Sequence, residues 1–531
     1  MIGEDAGKRV SVIMKHTEKQ TGDTGGGVRP ISGRDEVIHR GYLLAVFLLA
    51  CVLYASTALQ GVGWQDTGEY HYRIVTADYH WYSGIARAHP LYILMARGFV
   101  WLFPEQTSFW AANLFSGLGL ACALTLLGAV VMRLTGSFRA ATVAISFLCF
   151  SHMAWWLGTV AEVYTWSLAF VLAEVYCLLR YMEQRTGGWV VLLFAVNGLH
   201  LSLHNAALLG LPVYGFVLVQ EVRQRQGWRA WRLVAGCLGV AGIGAGLIVG
   251  QAIERMWEGA GFGATLQSVL FGDGYSQQVL GAGEWNRKRW LANLALASVS
   301  LLNPCWWFAW RGVRSPGEQE GRRFRYGLLA LTLLHGIFWV RYCVPDQATF
   351  VLPTLGLLSL WIGLGVAQTR MSRRVCVLVV MAGVCCAVMG PPALLSVARQ
   401  MHVTVQRART LPYRDEMRYW LVPWKQGEDS AARFAASVGM LVKTGDILIA
   451  DSTSAGPLLA MRQAHMLSDG WRLITPWSGL SDAAIVTAIR EARGAVYLVS
   501  PVIRYTPQVV LENFSFEQQG ILYQLQKKDV P

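Results

Sequence analysis

Eleven apolar runs dominate the first 395 residues of this 531-residue chain, near 42–60, 108–132, 140–158, 163–179, 189–203, 206–220, 233–252, 290–310, 326–340, 348–367 and 375–395. In hydrocarbon every backbone amide needs an internal partner, so runs of this kind fold as membrane helices. Charged residues are 15% of the chain, well below the roughly 25% of soluble domains, so lipid is the solvent here. Several runs, notably the two flanking His204, fall short of the ~20 residues a straight span needs, which leaves their limits soft.

Arginine placement decides the topology. The net charge of +13 sits mostly in short clusters between apolar runs: Arg133/Arg139, Arg180/Arg185, Arg223/Arg225/Arg229/Arg232, Arg311/Arg314/Arg322/Arg323/Arg325 and Arg370/Arg373/Arg374. That is the positive-inside pattern of cytoplasmic loops, not a nucleic-acid-binding face. All five clusters fall inside only if the segment 90–103, which opens at Pro90 and carries Arg97, lies on the outer surface instead of crossing. The expected chain is an α-helical polytopic membrane protein with about eleven spans, N-terminus in and C-terminus out. Residues 1–40 are a polar cytoplasmic tail and 41–395 the transmembrane domain, with outer loops 61–107 and 254–289. The tail is too polar for a cleavable signal, and the first apolar run reads as a signal-anchor.

Residues 396–531 read as a small extracytoplasmic α/β domain. Strand-like 446–450, 495–499 and 520–525 alternate with helical stretches near 429–442, 455–464 and 481–493. No cysteine follows Cys386, so no disulfide framework is implied. The small-residue run 236–250 suits close helix packing.

Candidate chemistry gathers on the outer side. Asp66 and Glu69 follow the first run directly, and on a helix their spacing puts both on one side. The aromatic residues around them suit a sugar or an interfacial belt equally. Glu162 ends a span at a depth where an acid needs a partner or a task, and Glu174 lies deeper, as a packing or pairing residue. His200 and His204 stand four apart, but two histidines without a third ligand make a weak metal signal. Arg341 ends its span alone, where a guanidinium can clamp a phosphate or pair with Asp346. Arg255, Arg287, Lys288 and Arg289 form a second outer basic group suited to headgroups or a diphosphate.

The acidic motif after the first helix, followed by His89-Pro90-Leu91-Tyr92, resembles the GT-C membrane glycosyltransferases, which include protein O-mannosyltransferases and aminoarabinose transferases. The ordered set Asp66-Thr-Gly-Glu69-Tyr70, His89-Pro90, Asn113-Leu114, Ala161-Glu162-Val163-Tyr164-Thr165, Gly198 to His204, and Asp346 with Phe350 to Pro353 is similar to a bacterial branch related to eukaryotic transmembrane O-mannosyltransferases. Relatives carry His-Pro-Pro-Gly-Tyr-Pro where this chain passes straight from His89-Pro90 to Leu91.

The resemblance implies a GT-C-like fold in the plasma membrane and inverting transfer of a sugar from a polyprenyl-phosphate donor to a hydroxyl of a protein, lipid or glycan on the outer side. It implies Asp66 as general base with Glu69 second, and His89, Glu162, Tyr164, His204, Arg341 and Asp346 around donor and acceptor. It names no certain cofactor, leaves a divalent cation open, and no nucleic acid is expected. A transporter or flippase of lipid-linked saccharides is the rival. It needs repeat-related broken helices with charge at mid-membrane, and no repeat is visible.

Overall fold

A computed structural model describes residues 33–273, 276, 286–314, 319–369, 371–403 and 409–527. Residues 46–531 form one compact unit; of the other, residues 1–45, only the start of the first helix is described. That helix, Gly33–Thr57, begins inside the stretch expected to be tail.

Each apolar run is helical, but the runs differ in kind. Among the described residues, five helices are long and apolar enough to cross a membrane alone: Glu36–Thr57, Glu105–Thr135, Asn205–Arg223, Gln347–Gln368 and Arg373–Gln400. Two more spans arise if bent pairs count as one each, Trp228–Gly244 with Gly246–Trp257 (73°) and Arg287–Leu302 with Pro304–Arg314 (87°). Phe138–Cys149 and Gly187–Leu203 are shorter. Tyr164–Gln184 carries Glu174, and the partners of its buried carboxylate explain how an acid is tolerated there. The Glu174 carboxylate accepts from Asn197 (3.0 Å), His200 Nδ1 (3.0 Å) and Tyr214 (2.9 Å), while His200 Nε2 meets the Ser167 hydroxyl at 2.8 Å. All five side chains are buried. This closed network ties three helices together and meets the requirement that buried polar groups be paired.

The segment 90–103 contains the helix Pro90–Val100, 11 residues long, or about 16 Å at 1.5 Å per residue, too short to span. Of the expected outer loop 254–289, the helix Phe262–Phe271 is described, while 274–285, Ser276 apart, lies outside the described residues.

The C-terminal region holds a five-stranded sheet with β1 Ile447–Ile449, β2 Arg472–Ile474, β3 Val496–Leu498, β4 Phe514–Gln519 and β5 Leu522–Lys527, ordered β2-β1-β3-β5-β4. β1 is parallel to β2 and β3, with Leu448 opposite Leu473 and Tyr497; β5 runs antiparallel to β3 and β4. Ile447, Ile449, Ile474, Leu498 and Phe514 anchor its core with Ile485 and Ile489 from the helix Asp482–Arg490.

The sheet region is fastened to the helical part by backbone bonds. The Lys425 and Gln426 amides donate to Thr57 O (2.8 and 3.1 Å) at the end of the first helix. His152 Nε2 meets Leu421 O at 3.0 Å, and Thr159 Oγ1 donates to Pro423 O at 3.0 Å. The Lys425 ammonium is buried and donates to the Tyr419 and Val422 carbonyls; burial pushes its pKa down to about 7.

Candidate active site

The motif Asp66-Thr-Gly-Glu69 opens the helix Gln65–Thr76, which is gripped from three sides. Arg73, wholly buried, bonds Asp78 O (3.2 Å), Arg87 O (3.3 Å) and Ala88 O, and so straps the following loop to the helix. Arg97 of the helix Pro90–Val100 caps its C-terminus through Ile74 O (3.1 Å) and Val75 O (2.5 Å), as a cation at a helix C-terminus should. Asn113, fully buried, accepts from the Ala161 amide (2.7 Å) and meets His71 Nε2 (3.1 Å), and donates to Leu59 O (2.9 Å) and Gly61 O (3.2 Å). His71 Nδ1 accepts from the Gly63 amide at 3.3 Å, so the ring is neutral; burial lowers its pKa to about 4.

The third grip comes from the C-terminal region, where the helix Ser452–Gln463 crosses Gln65–Thr76 at a pair of glycines. A Cβ on Gly456 would lie 2.7 Å from Glu69 N and 2.8 Å from Gly68 C; one on Gly68 would lie 2.8 Å from Pro457. The glycine inside the acidic motif is thus a packing requirement. Beside it, Trp64 Nε1 donates to the Ser430 hydroxyl (2.8 Å) and its ring packs on Phe434.

This helix faces a cavity of about 1630 Å³. Asp66, Glu69, His89, Tyr164, His204 and Asp346, six of the eight expected site residues, line it together. Glu162 is buried beside them, its amide held by Ser116 Oγ (2.9 Å) and its carbonyl bonded by the same hydroxyl (2.9 Å). Arg341 is the exception: it is exposed and not on the cavity wall. Among the described residues the arginines that line the cavity are Arg87, 3.8 Å from the Glu69 carboxylate, Arg289 and Arg504. Arg289 belongs to the second basic group read from the sequence, whereas nothing in the stretch around Arg87 marked it. Arg255 of that group pairs instead with Asp273 at 3.0 Å.

The carboxyl groups interact. Burial pushes Glu69 up to about 7 against the pull of Arg87, with the Asp66 charge adding to the rise. Burial and then the same Asp66 charge raise Asp346 to about 6 and hold Glu162 well above the carboxylate range. Asp346 also accepts from the Tyr164 hydroxyl at 3.3 Å. Asp66 differs: it is half-buried at the cavity wall, and its carboxylate makes no hydrogen bond or ion pair among the described residues. The preceding Gln65 has φ +54° and His89 φ +46°, a region that costs non-glycine residues of order 1–3 kcal/mol and marks functional sites more often than others.

His200 and His204 do not make a pair. The helix Gly187–Leu203 ends between them, and His204 is extended at φ −159°, so His200 turns into the Glu174 network while His204 faces the cavity. There its ring stacks on His89 at 5.0 Å, and His89 Nδ1 meets Leu203 O at 3.0 Å. Burial, then the neighbouring His204 and Arg73 charges, hold His89 well below its usual range; burial lowers His204 to about 3. Both present neutral imidazoles. Among the described residues no three His, Cys, Asp or Glu side chains group as metal ligands would.

Residues 66–227 match the model of the Protein O-mannosyl-transferase TMEM260 N-terminal domain. Mouse Protein O-mannosyl-transferase TMEM260 is 30% identical over 142 residues, which are 26% of this chain and 19% of that protein, so the match spans about a fifth of the curated relative. ArnT from Cupriavidus metallidurans has a similar fold in its apo state, at TM-score 0.56 and 13% identity over 92% of this chain and 98% of that one. ArnT bound to undecaprenyl phosphate gives TM-score 0.57 and 13% identity over 93% and 98%. The resemblance read from the ordered motifs therefore holds: residues 66–227 are similar to a TMEM260-type O-mannosyl-transferase N-terminal domain, and the fold is similar to that of ArnT.

Proposed function

We propose that this chain is a membrane glycosyltransferase that moves a sugar, of mannose type, from a polyprenyl-phosphate donor to an acceptor hydroxyl on the extracytoplasmic face, with inversion. The observation that carries the reading is Asp66, a carboxylate without a protein partner among the described residues, on the wall of one cavity that also holds three arginines. The acceptor oxygen attacks the anomeric carbon as the bond from that carbon to the phosphate oxygen breaks, and Asp66 takes the acceptor proton as general base. The leaving group is already an anion and needs no strong acid; Arg87 and Arg289 offset its growing charge. Neutral His89 and His204, with Tyr164, hold the sugar by hydrogen bonding. Glu162 and Asp346 stand beside them, with Asp346 bonded to the Tyr164 hydroxyl. The lipid chain fits the apolar wall of Ala292, Leu296, Val299, Leu394 and Ala398. The ArnT structure with undecaprenyl phosphate supports a lipid-linked donor, and the TMEM260 match supports mannose.

The two bent helix pairs favour a second reading, a carrier of lipid-linked saccharides, because broken helices build transporter sites. Their breaks fall at Ala245 and Asn303, which carry no charge, whereas the carboxylates sit at 66–69, 162 and 346. Purified protein incubated with labelled polyprenyl-phosphate mannose should release polyprenyl phosphate and label an acceptor. Movement of the intact lipid across vesicles without any transfer would overturn the enzyme reading.

A further inference from the structure

The cavity exceeds what one substrate requires. Ligand sites commonly enclose roughly 300–1,000 Å³, against about 1630 Å³ here, and its two ends differ in chemistry. One end is the apolar wall with Arg289, described above. The other is built by the C-terminal sheet. The segments that leave the carboxyl ends of the three parallel strands all reach the cavity: Ser452 and Thr453 after β1, Thr475 after β2, and Arg504, Tyr505 and Gln508 after β3. The order β2-β1-β3 makes the gap between β1 and β3 a topological switch point, where chain connections diverge and a crevice opens. In open parallel sheets ligands bind at that place.

We propose that this crevice is the acceptor subsite and that the acceptor it takes is a glycan; the proposal rests on the transferase reading. The wall is preorganised. Asp451, buried after β1, is held by Arg409 (2.6 Å), the Thr453 amide (2.9 Å) and the Ser454 hydroxyl (2.8 Å). Its neighbours Ser452 and Thr453 present hydroxyls that make no hydrogen bond among the described residues. Short polar groups on three separate loops suit ring hydroxyls that point in several directions. An aromatic face stands beside them: Tyr82, half exposed on the wall, packs with Trp81 (4.8 Å) and with Trp477 after β2 (6.0 Å). Sugars stack on such faces through their C–H surfaces.

Two other acceptors fit less well. A peptide in extended form wants a free strand edge for its backbone, and the crevice offers strand ends instead. An anionic lipid headgroup wants excess positive charge, and this wall carries Asp482 as well as Arg504. Because Asp66 and the crevice share one cavity, and the crevice's own helix Ser452–Gln463 crosses the Asp66 helix at Gly456, an acceptor held there is delivered to the base.

Full-length protein in nanodiscs, applied without donor to an array of oligosaccharides and of Ser/Thr-containing peptides, tests this apart from catalysis. At least one class of oligosaccharide should bind above empty nanodiscs. That binding should fall about 10-fold in Thr453→Val and in Tyr82→Ala, the loss expected from one hydrogen bond or one aromatic face. Arg341→Ala, off the wall, should bind as wild type. Absence of binding to every oligosaccharide, binding unchanged in both crevice variants, or capture of peptides in their place would each overturn the proposal. The transferase reading would survive all three, since donor turnover is read separately.

Discussion

Replacing Gly456 with alanine tests whether the C-terminal region holds the acidic helix in working position. The new methyl would sit 2.7 Å from Glu69 N and 2.8 Å from Gly68 C, whereas carbon contacts are comfortable near 3.5–4.0 Å. Both neighbours are backbone, so no side-chain rotation relieves the clash; the two helices must separate by roughly 0.7–1 Å. Overpacking of this kind costs about 1–3 kcal/mol, of which roughly 1 kcal/mol is returned because alanine favours helix over glycine. The net loss of stability is therefore modest. Turnover should suffer more, since a ~1 Å displacement of a reacting group costs on the order of 10²-fold. The assay pairs transfer from a labelled polyprenyl-phosphate sugar with thermal unfolding in detergent. The expected outcome is a melting point within a few degrees of wild type and turnover down by one to two orders of magnitude, with donor KM little changed. Wild-type turnover in Gly456→Ala would refute the idea that this crossing positions Asp66.

Three further outcomes follow from the geometry. Asn113→Ala strands the Ala161 amide, the Leu59 and Gly61 carbonyls and His71; at about 1–3 kcal/mol for each buried group left unpaired, thermal unfolding should occur far below wild type, and an unchanged melting point would contradict the network. Arg87→Ala should raise donor KM by about 10–100-fold, the worth of a charge-assisted bond, with Arg87→Lys intermediate because the planar fork is lost; Arg341→Ala, off the wall, should leave donor KM unchanged, and the reverse pattern would return the phosphate to Arg341. Glu69 binds its proton more tightly when folded, at about 7 against roughly 4.3 unfolded. The stability from that proton is complete below the unfolded value and is lost as pH rises through 7, so Glu69→Gln should flatten the fall in melting point between pH 5 and 8, and an identical slope would count against the assignment.

The sequence disclosed the helices and most of the candidate site for a physical reason: hydrocarbon demands apolar runs, and the acids that interrupt them stand out. Asp66, Glu69, Glu162 and Asp346 were visible because burying a carboxylate needs a cause. Arg87 was not, since an arginine in a polar loop has no such contrast. Gly68 carries no signal of its own because its partner, Gly456, lies in another part of the chain and no local pattern joins them. His200 and His204 suggested one helical face only on the assumption that the helix continued past Leu203. β2, Arg-Leu-Ile, opens on an exposed arginine and β4, Phe-Ser-Phe-Glu-Gln-Gln, is mostly exposed, so neither carries the apolar signal that revealed β1 and β3. Arg341 looked isolated at a helix end, and it is; isolation proved to mean exposure.

The central claim is that Asp66 is the base. Asp66→Asn keeps the shape and most hydrogen bonding of the side chain but cannot take a proton. Single-turnover transfer from a polyprenyl-phosphate sugar, with protein whose fold is checked by size exclusion in detergent, should slow by about 10²–10⁴-fold. Donor affinity should stay near wild type, because the interaction is needed mainly in the transition state, and Glu69→Gln should be less impaired. Full transfer activity in well-folded Asp66→Asn would contradict the account.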